Sequence, residues 1–392
     1  MGALTDIVLP STDEEVWRYS RIAELDLEAY HPVARDTAAP TAIPDAIEAA
    51  LATVAVRGAT VVVVNGRVAH VDVQVPGVDV AIDGSLLGEV MAEPTDVFAA
   101  ANGGLAVDPV TIRIAAGATV EAPVVVANWS DEPDLATFPR LVVDAGADSE
   151  ARVIEYHASA RGVPSLTVPV TELAVGRAAR LGYLNAQNLG MATWQVASQV
   201  SSVDADATFT SVAAAFGGDY ARLRTDCRLV GRGATGRLRA VYFGEDDQML
   251  DLRTFQDHAA PDTNSALLFK GAVGGHSRSV YTGLIRVRKN ARGTNAFQTN
   301  RNIKLSDGAW AESVPNLEIE NNDVRCSHAS AVGPIDEDQR FYLESRGVPT
   351  AIAERLIVTG FFDEVLSTLP VTDAAAALRT LVAGKLDRQV QP

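Results

Sequence analysis

A thiol and an imidazole stand two positions apart in Val324-Arg325-Cys326-Ser327-His328, just ahead of a helical region. In an extended chain residues i and i+2 face the same side, so Cys326 and His328 would form one patch. Thiolate and imidazole are both good ligands for zinc, copper and iron–sulfur centres. Two ligands do not close a metal site, and the spacing alone equally fits a buried strand cysteine beside a hydrogen-bonded histidine. The only other cysteine, Cys227, lies roughly a hundred residues upstream and reads as a buried strand residue. Glu318 and Glu320 are near the pair in sequence and would share its face if the segment from 317 to 326 stayed extended; solvent-facing or interface carboxylates are the plainer reading.

Other chemistries find no support. The glycine-rich stretches 231–236 and 271–275 lack the Gly-Lys-Ser/Thr of a P-loop and read as turns, so the chain is not expected to hydrolyse ATP. It contains neither a Gly-x-Ser-x-Gly elbow nor a His-Glu-x-x-His motif. A basic run (Arg278, Arg286, Arg288, Lys289, Arg292, Arg301, Lys304) reads as one face of an exposed strand, solvated or paired with acids. With few aromatics beside it and a net charge of −17, nucleic acid is not an expected partner.

The elements that must position the pair follow from pattern. The 392 residues, 47% hydrophobic and 21% charged, are those of a folded chain with two or three domains rather than a disordered one. No apolar run reaches membrane-spanning length, and the N-terminus lacks a basic region followed by an apolar core. Two cysteines do not make a disulfide framework, so a reducing cytoplasm is the expected location. Residues 13–30 have a partly helical period, with Trp17 and Tyr19 as anchors, and a Pro/Ala-rich connector spans 32–44. Residues 60–75 read as a hairpin turning at Asn65-Gly66. From about 108 to 332, short β-branched runs punctuated by Gly, Asn and Asp continue without a long amphipathic helix. Such a run calls for a sandwich, barrel, propeller or solenoid, and no clean sequence period chooses among them. After Pro334 three helices are predicted, over 336–346 (stopping at Gly347), 350–369 and 373–390. Their plainest role is to cap the open end of a solenoid.

The residues around the pair carry a more specific signal. Gln298-Thr-Asn-Arg-Asn-Ile-Lys-Leu-Ser306, Pro315-Asn-Leu-Glu-Ile319, Asp323-Val-Arg-Cys-Ser-His328, Gly333, Phe341-Tyr-Leu-Glu-Ser-Arg-Gly347 and Gly360-Phe361 closely resemble the C-terminal signature of the SufB/SufD family of iron–sulfur cluster assembly proteins. Weaker likeness extends to Glu15-Val-Trp-Arg-Tyr-Ser20, Val63-Val-Asn-Gly-Arg67, Phe138-Pro-Arg140 and Val153-Ile-Glu-Tyr156. The low cysteine count and the Cys-Ser-His triplet resemble the SufD branch more than SufB. One departure is Ala329-Ser330, where the family pattern suggests Gly-Ala; all are small residues.

The resemblance implies a mainly β protein: a right-handed parallel β-helix over 101–334, between a mixed N-terminal region (1–100) and a C-terminal helical region (335–392). It implies a non-catalytic scaffold that pairs with SufB through the β-helix and with the SufC ATPase through the C-terminal helices. His328 and Cys326 would then sit at the SufB interface beside a transient iron–sulfur cluster shared with SufB, His328 either ligating iron or holding the interface in register. Participation of a flavin, and a monomeric or homodimeric state when isolated, stay open. Two other classes fit less well. One is a β-helix enzyme acting on acidic polysaccharide, which the charge of −17 disfavours, and the other a SufB-like homodimeric scaffold, which two cysteines disfavour.

Overall fold

The computed structural model describes residues 4–390. The β-branched runs form strands that wind into a parallel β-solenoid of about eight turns, and with 44% strand against 18% helix the protein is mainly β. Two sheets form its walls. Sheet A runs in spatial order Trp310–Ile319, Arg278–Val287, Met249–His258, Tyr220–Leu229, Thr193–Val203, Val170–Val175, Arg140–Ala145, Val110–Ile114 and Val78–Ala81. Sheet B runs Val324–Pro334, Thr294–Lys304, Asn264–Val273, Thr235–Gly244, Thr208–Ala215, Arg180–Asn188, Glu150–Ser159, Val124–Ser130, Ala59–Val64 and Arg67–Val73. Successive coils pair in parallel; only the last-named strand of each sheet is antiparallel to its neighbour.

Between the sheets the inward side chains stack as in-register columns. Val61, Val126, Val153, Leu181, Phe209, Leu238 and Leu267 belong to one continuous buried core. Strand period 2 alternates these with outward residues, so each sheet also needs a cover. The corners repeat as well. Asp148, Ala178, Asp206, Gly233, Asp262 and Gly293 all have positive φ, and each of Asp148, Ala178, Asp206 and Asp262 donates its backbone N–H to a corner carbonyl of the next coil at 2.8–2.9 Å. These corners recur about every 30 residues, one solenoid turn.

Helices α1 (Asp45–Ala52) and α2 (Val97–Leu105) precede the regular coils, and α3 (Glu337–Ser345), α4 (Thr350–Leu366) and α5 (Thr372–Val390) follow them. Residues 13–30 are not the helix their period suggests. They form turns with short 3-10 segments at Ile22–Glu24 and Leu27–Ala29, and lie on the outer face of sheet A. Burial there comes from single anchors rather than from a helical stripe. Trp17 is buried against Phe98, centroids 5.8 Å apart, and beneath the Arg222 guanidinium at 4.0 Å, while Tyr19 is exposed beside Trp310 at 6.4 Å.

The C-terminal helices do not cap the open end. α4 and α5 lie along the outer face of sheet B, where Phe362, Val365, Leu378 and Val382 pack with Val212, Val241 and Phe243. The apolar outer face of sheet B offers the apolar faces of both helices a surface to bury. Ion pairs fix the arrangement: Lys270 of sheet B binds Glu364 of α4, and Glu245 binds both Lys385 and Arg388 of α5 at 2.9 Å. Of the glycines expected in turns, Gly271 is instead within a strand. There Tyr242 covers it so closely that a Cβ would sit 2.0 Å from the ring.

Candidate functional site

Cys326 and His328 lie on the last strand of sheet B, Val324–Pro334, which is extended as their spacing requires. Among the described residues that strand pairs with Thr294–Lys304 alone, which leaves its other edge open. Register sets the facing. Leu238, Leu267, Gln298 and His328 form one column, and Gly236, Ser265, Ala296 and Cys326 the next. Because Leu238 and Leu267 are core residues, the thiol and the imidazole both belong to the inward face of the final coil.

Their surroundings differ. Cys326 is half-buried, against the small cluster of Ile285, Val287, Ala291 and Ala296. Burial pushes its thiol above the ordinary value, partly opposed by a hydrogen bond from the Ala296 backbone N–H. His328 is exposed. The wall opposite is the final strand of sheet A, where Ser313, Pro315 and Leu317 are likewise only partly covered, since no further coil lies over them. One thiol and one imidazole at an accessible rim can supply two of the donors a metal or cluster needs. Among the described residues no group of three or more His, Cys, Asp and Glu is gathered to hold a metal ion.

The remaining candidates stand apart. Cys227 is fully buried on the inside of sheet A, its Sγ 2.9 Å from where a Gly236 Cβ would be, and burial raises its thiol to about 12. Gly236 is three strands below Cys326 in the same column, about 14 Å away at the usual strand spacing. Glu318 does not share the Cys326 face. Its neighbour Leu317 points inward, so Glu318 points out and binds Arg286 at 2.9 Å; the chain turns after Ile319, putting Cys326 in the other sheet. The basic run is partly neutralised in the same way, Arg288 making a bidentate pair with Asp257 at 2.9 and 2.5 Å.

Two features were given no role of their own from the sequence, although Gln298 and Phe341-Tyr342 lie within the family-like stretches. Gln298, the register neighbour of His328, is only 2% exposed, and its face could not be assigned without the register. Phe341 and Tyr342 on α3 and Ile352 and Leu356 on α4 are large apolar or aromatic side chains left exposed, at 71, 58, 47 and 53%. Beside them a cleft of about 690 Å³ lies between the end of the solenoid and the helices; on its helical side the ion pairs Arg340–Glu354 and Arg355–Asp387 tie α3 to α4 and α4 to α5. No helix among the described residues is long and apolar enough to cross a membrane.

Comparison with known proteins matches residues 125–361 to the SufBD core domain of the SUF system for FeS cluster assembly. An iron–sulfur cluster assembly SufBD family protein of Mycobacterium tuberculosis is 38% identical over 224 residues, 55% of this chain and 56% of the relative. A SufBD family protein of Mycobacterium leprae is 31% identical over 335 residues, covering 83% of this chain and 84% of its own. The iron–sulfur cluster assembly protein SufD of Escherichia coli is 31% identical over 227 residues, 58% of this chain and 54% of that protein. The chain thus spans little more than half the length of several of the curated relatives it matches.

Proposed function

The chain belongs to the SufBD family of the SUF iron–sulfur cluster assembly system, and from that premise we propose that it is a non-catalytic scaffold subunit of the SufD type, working in the reducing cytoplasm. The observation that carries the reading is the open strand Val324–Pro334. It presents a half-buried thiol and an exposed imidazole at the end of a solenoid whose edge is free to pair. A SufB subunit docking end to end would bring its own donors to Cys326 and His328, completing a coordination set that this chain leaves at two. The iron and sulfide are cargo. A thiolate ligates iron readily while sulfide bridges the irons, and a neutral imidazole is a good but exchangeable ligand, which suits a cluster that must be passed on. The exposed apolar side chains on α3 and α4 suit the SufC ATPase, to which ATP hydrolysis belongs.

The test is co-purification with SufB and SufC followed by anaerobic reconstitution and absorption spectroscopy. His328→Ala should leave the complex assembled while lowering its sulfide-to-iron charge-transfer bands several-fold. Unchanged bands in that variant would remove His328 from the working site.

A further inference from the structure

The last coil but one contains a buried amide that no group among the described residues satisfies. Strand Thr294–Lys304 carries three amides on its inward face, Gln298, Asn300 and Asn302. Two are accounted for: the Asn300 Nδ2 donates to the Tyr242 hydroxyl at 2.8 Å, that hydroxyl donates to Asn302 Oδ1 at 2.7 Å, and Asn302 Nδ2 donates to Asn300 Oδ1 at 2.9 Å. Gln298 is equally buried, yet neither its Nε2 nor its Oε1 has a partner. Buried amides are rarely left so, because an unmade hydrogen bond forfeits the hydration that burial removed. The structure nevertheless keeps room for this one. The amide reaches across to Gly283, where a Cβ would lie 2.3 Å from Gln298 Nε2.

The residue next along the solenoid axis from Gln298 is His328, its register partner on the same face. Parallel in-register neighbours stand about 4.8 Å apart, the spacing at which stacked side-chain amides hydrogen-bond along the axis. His328 has no hydrogen-bond partner of its own among the described residues. We propose that Gln298 is a positioning residue for His328: with its side chain turned from Gly283 toward the rim, its unpartnered amide oxygen accepts one ring N–H, fixing the ring's tautomer and orientation and leaving the other nitrogen's lone pair presented at the open rim. A histidine that serves as a ligand commonly has its second nitrogen held in this way. The proposal rests on the reading of His328 as the working imidazole, but the contact itself is testable without a cluster or a partner.

The experiment is nitrogen-15 NMR of the His328 ring in the isolated full-length chain, at a pH where the ring is neutral. The wild type should show one dominant tautomer with a hydrogen-bonded N–H. Gln298→Leu, similar in length and lacking both polar atoms, should shift the tautomer ratio about fivefold toward that of a free imidazole, the effect of one ordinary net hydrogen bond. Gln298→Glu, which keeps an acceptor, should restore the wild-type pattern. Identical ring spectra in wild type and Gln298→Leu would overturn the proposal, as they would if Gln298 instead pairs with Gln256, the other inward amide with both atoms free. Should Gln298→Leu fail to fold, the wild type alone decides: a ring with the tautomer mixture of free imidazole contradicts it. Failure of His328→Ala to affect cluster formation, by contrast, would remove His328 from the working site and leave this contact standing.

Discussion

The two ends of the solenoid obey the same stacking rule and finish differently. At the N-terminal end each sheet closes with a reversed strand: Arg67–Val73 antiparallel to Ala59–Val64, and Val78–Ala81 antiparallel to Val110–Ile114. The first reversal is made by Asn65-Gly66, both at positive φ, the tight turn that suits a two-residue hairpin. A reversed, charge-bearing strand (Arg67, Asp72) is a poor template for another parallel coil. At the C-terminal end Trp310–Ile319 and Val324–Pro334 are ordinary parallel strands with nothing beyond them, and the helices that could have covered them lie on the side of sheet B instead. The contrast teaches where association is prevented and where it is invited. The thiol and imidazole lie at the end that invites it.

One substitution made at both ends puts this contrast to its strongest test. Val61 is fully buried in the closed end and Val332 is 42% exposed on the open strand. Val61→Asp should cost on the order of 3–5 kcal/mol or abolish folding, because it buries an unpaired charge. Val332→Asp should change stability by no more than about 0.5 kcal/mol. Urea unfolding with unchanged m-values checks both, and an equal loss at Val332 would mean that the open edge is already covered in the isolated protein.

A second, smaller effect separates a histidine inside the solenoid, His258, from the one at its rim. His258 is buried in sheet A, its ring nitrogens 2.8 Å from Thr263 Oγ1 and Ser265 Oγ. Burial lowers its pKa from 6.5 to about 4, against a weaker opposing pull from Asp257. Above pH 6.5 the ring is neutral whether the chain is folded or not, and it contributes no pH dependence. Below 6.5 only the unfolded chain takes up the proton, so stability falls until the folded ring also protonates near pH 4. The slope from this one group approaches about 1.4 kcal/mol per pH unit. It should be absent in His258→Gln and retained in His328→Ala, as read from denaturation midpoints across that range; a slope that survives His258→Gln belongs to other groups.

How much of this was legible in the sequence depends on the range of the forces involved. The hairpin at Asn65-Gly66 and the three C-terminal helices were readable because their signals are local: a turn pair, an apolar period, and Gly347 with φ +83 just past α3. The solenoid period was not readable. Its corners need only a residue that tolerates positive φ, and Asp, Ala and Gly all serve, at Asp148, Ala178, Asp206 and Gly233. The placement of α4 and α5 was not readable either, because helix amphipathicity says that a face is buried and not against what. Within the site, the shared face of Cys326 and His328 followed from their spacing. The outward turn of Glu318 and the inward position of Gln298 required the register between strands about 30 residues apart, which no local pattern encodes.

The smallest effect costs no stability and compares the two thiols directly. Cys326 is half-buried at the open rim; Cys227 lies wholly inside the solenoid, and its thiol is pushed up to about 12. Only thiolate reacts with an alkylating reagent, so at pH 8 burial and a thiolate fraction of about one in ten thousand together silence Cys227 until the chain unfolds. Cys326 is also raised, by burial against its backbone hydrogen bond, but remains within reach of solvent. Mass spectrometry of iodoacetamide-treated native protein should find Cys326 modified at least about a hundredfold faster than Cys227. Adding a docking partner should slow Cys326 and leave Cys227 unchanged, because the partner covers the rim and not the core. If Cys326 labels at the same rate with and without a bound SufB, docking does not occur at this end, and the difference between the two ends loses its functional meaning.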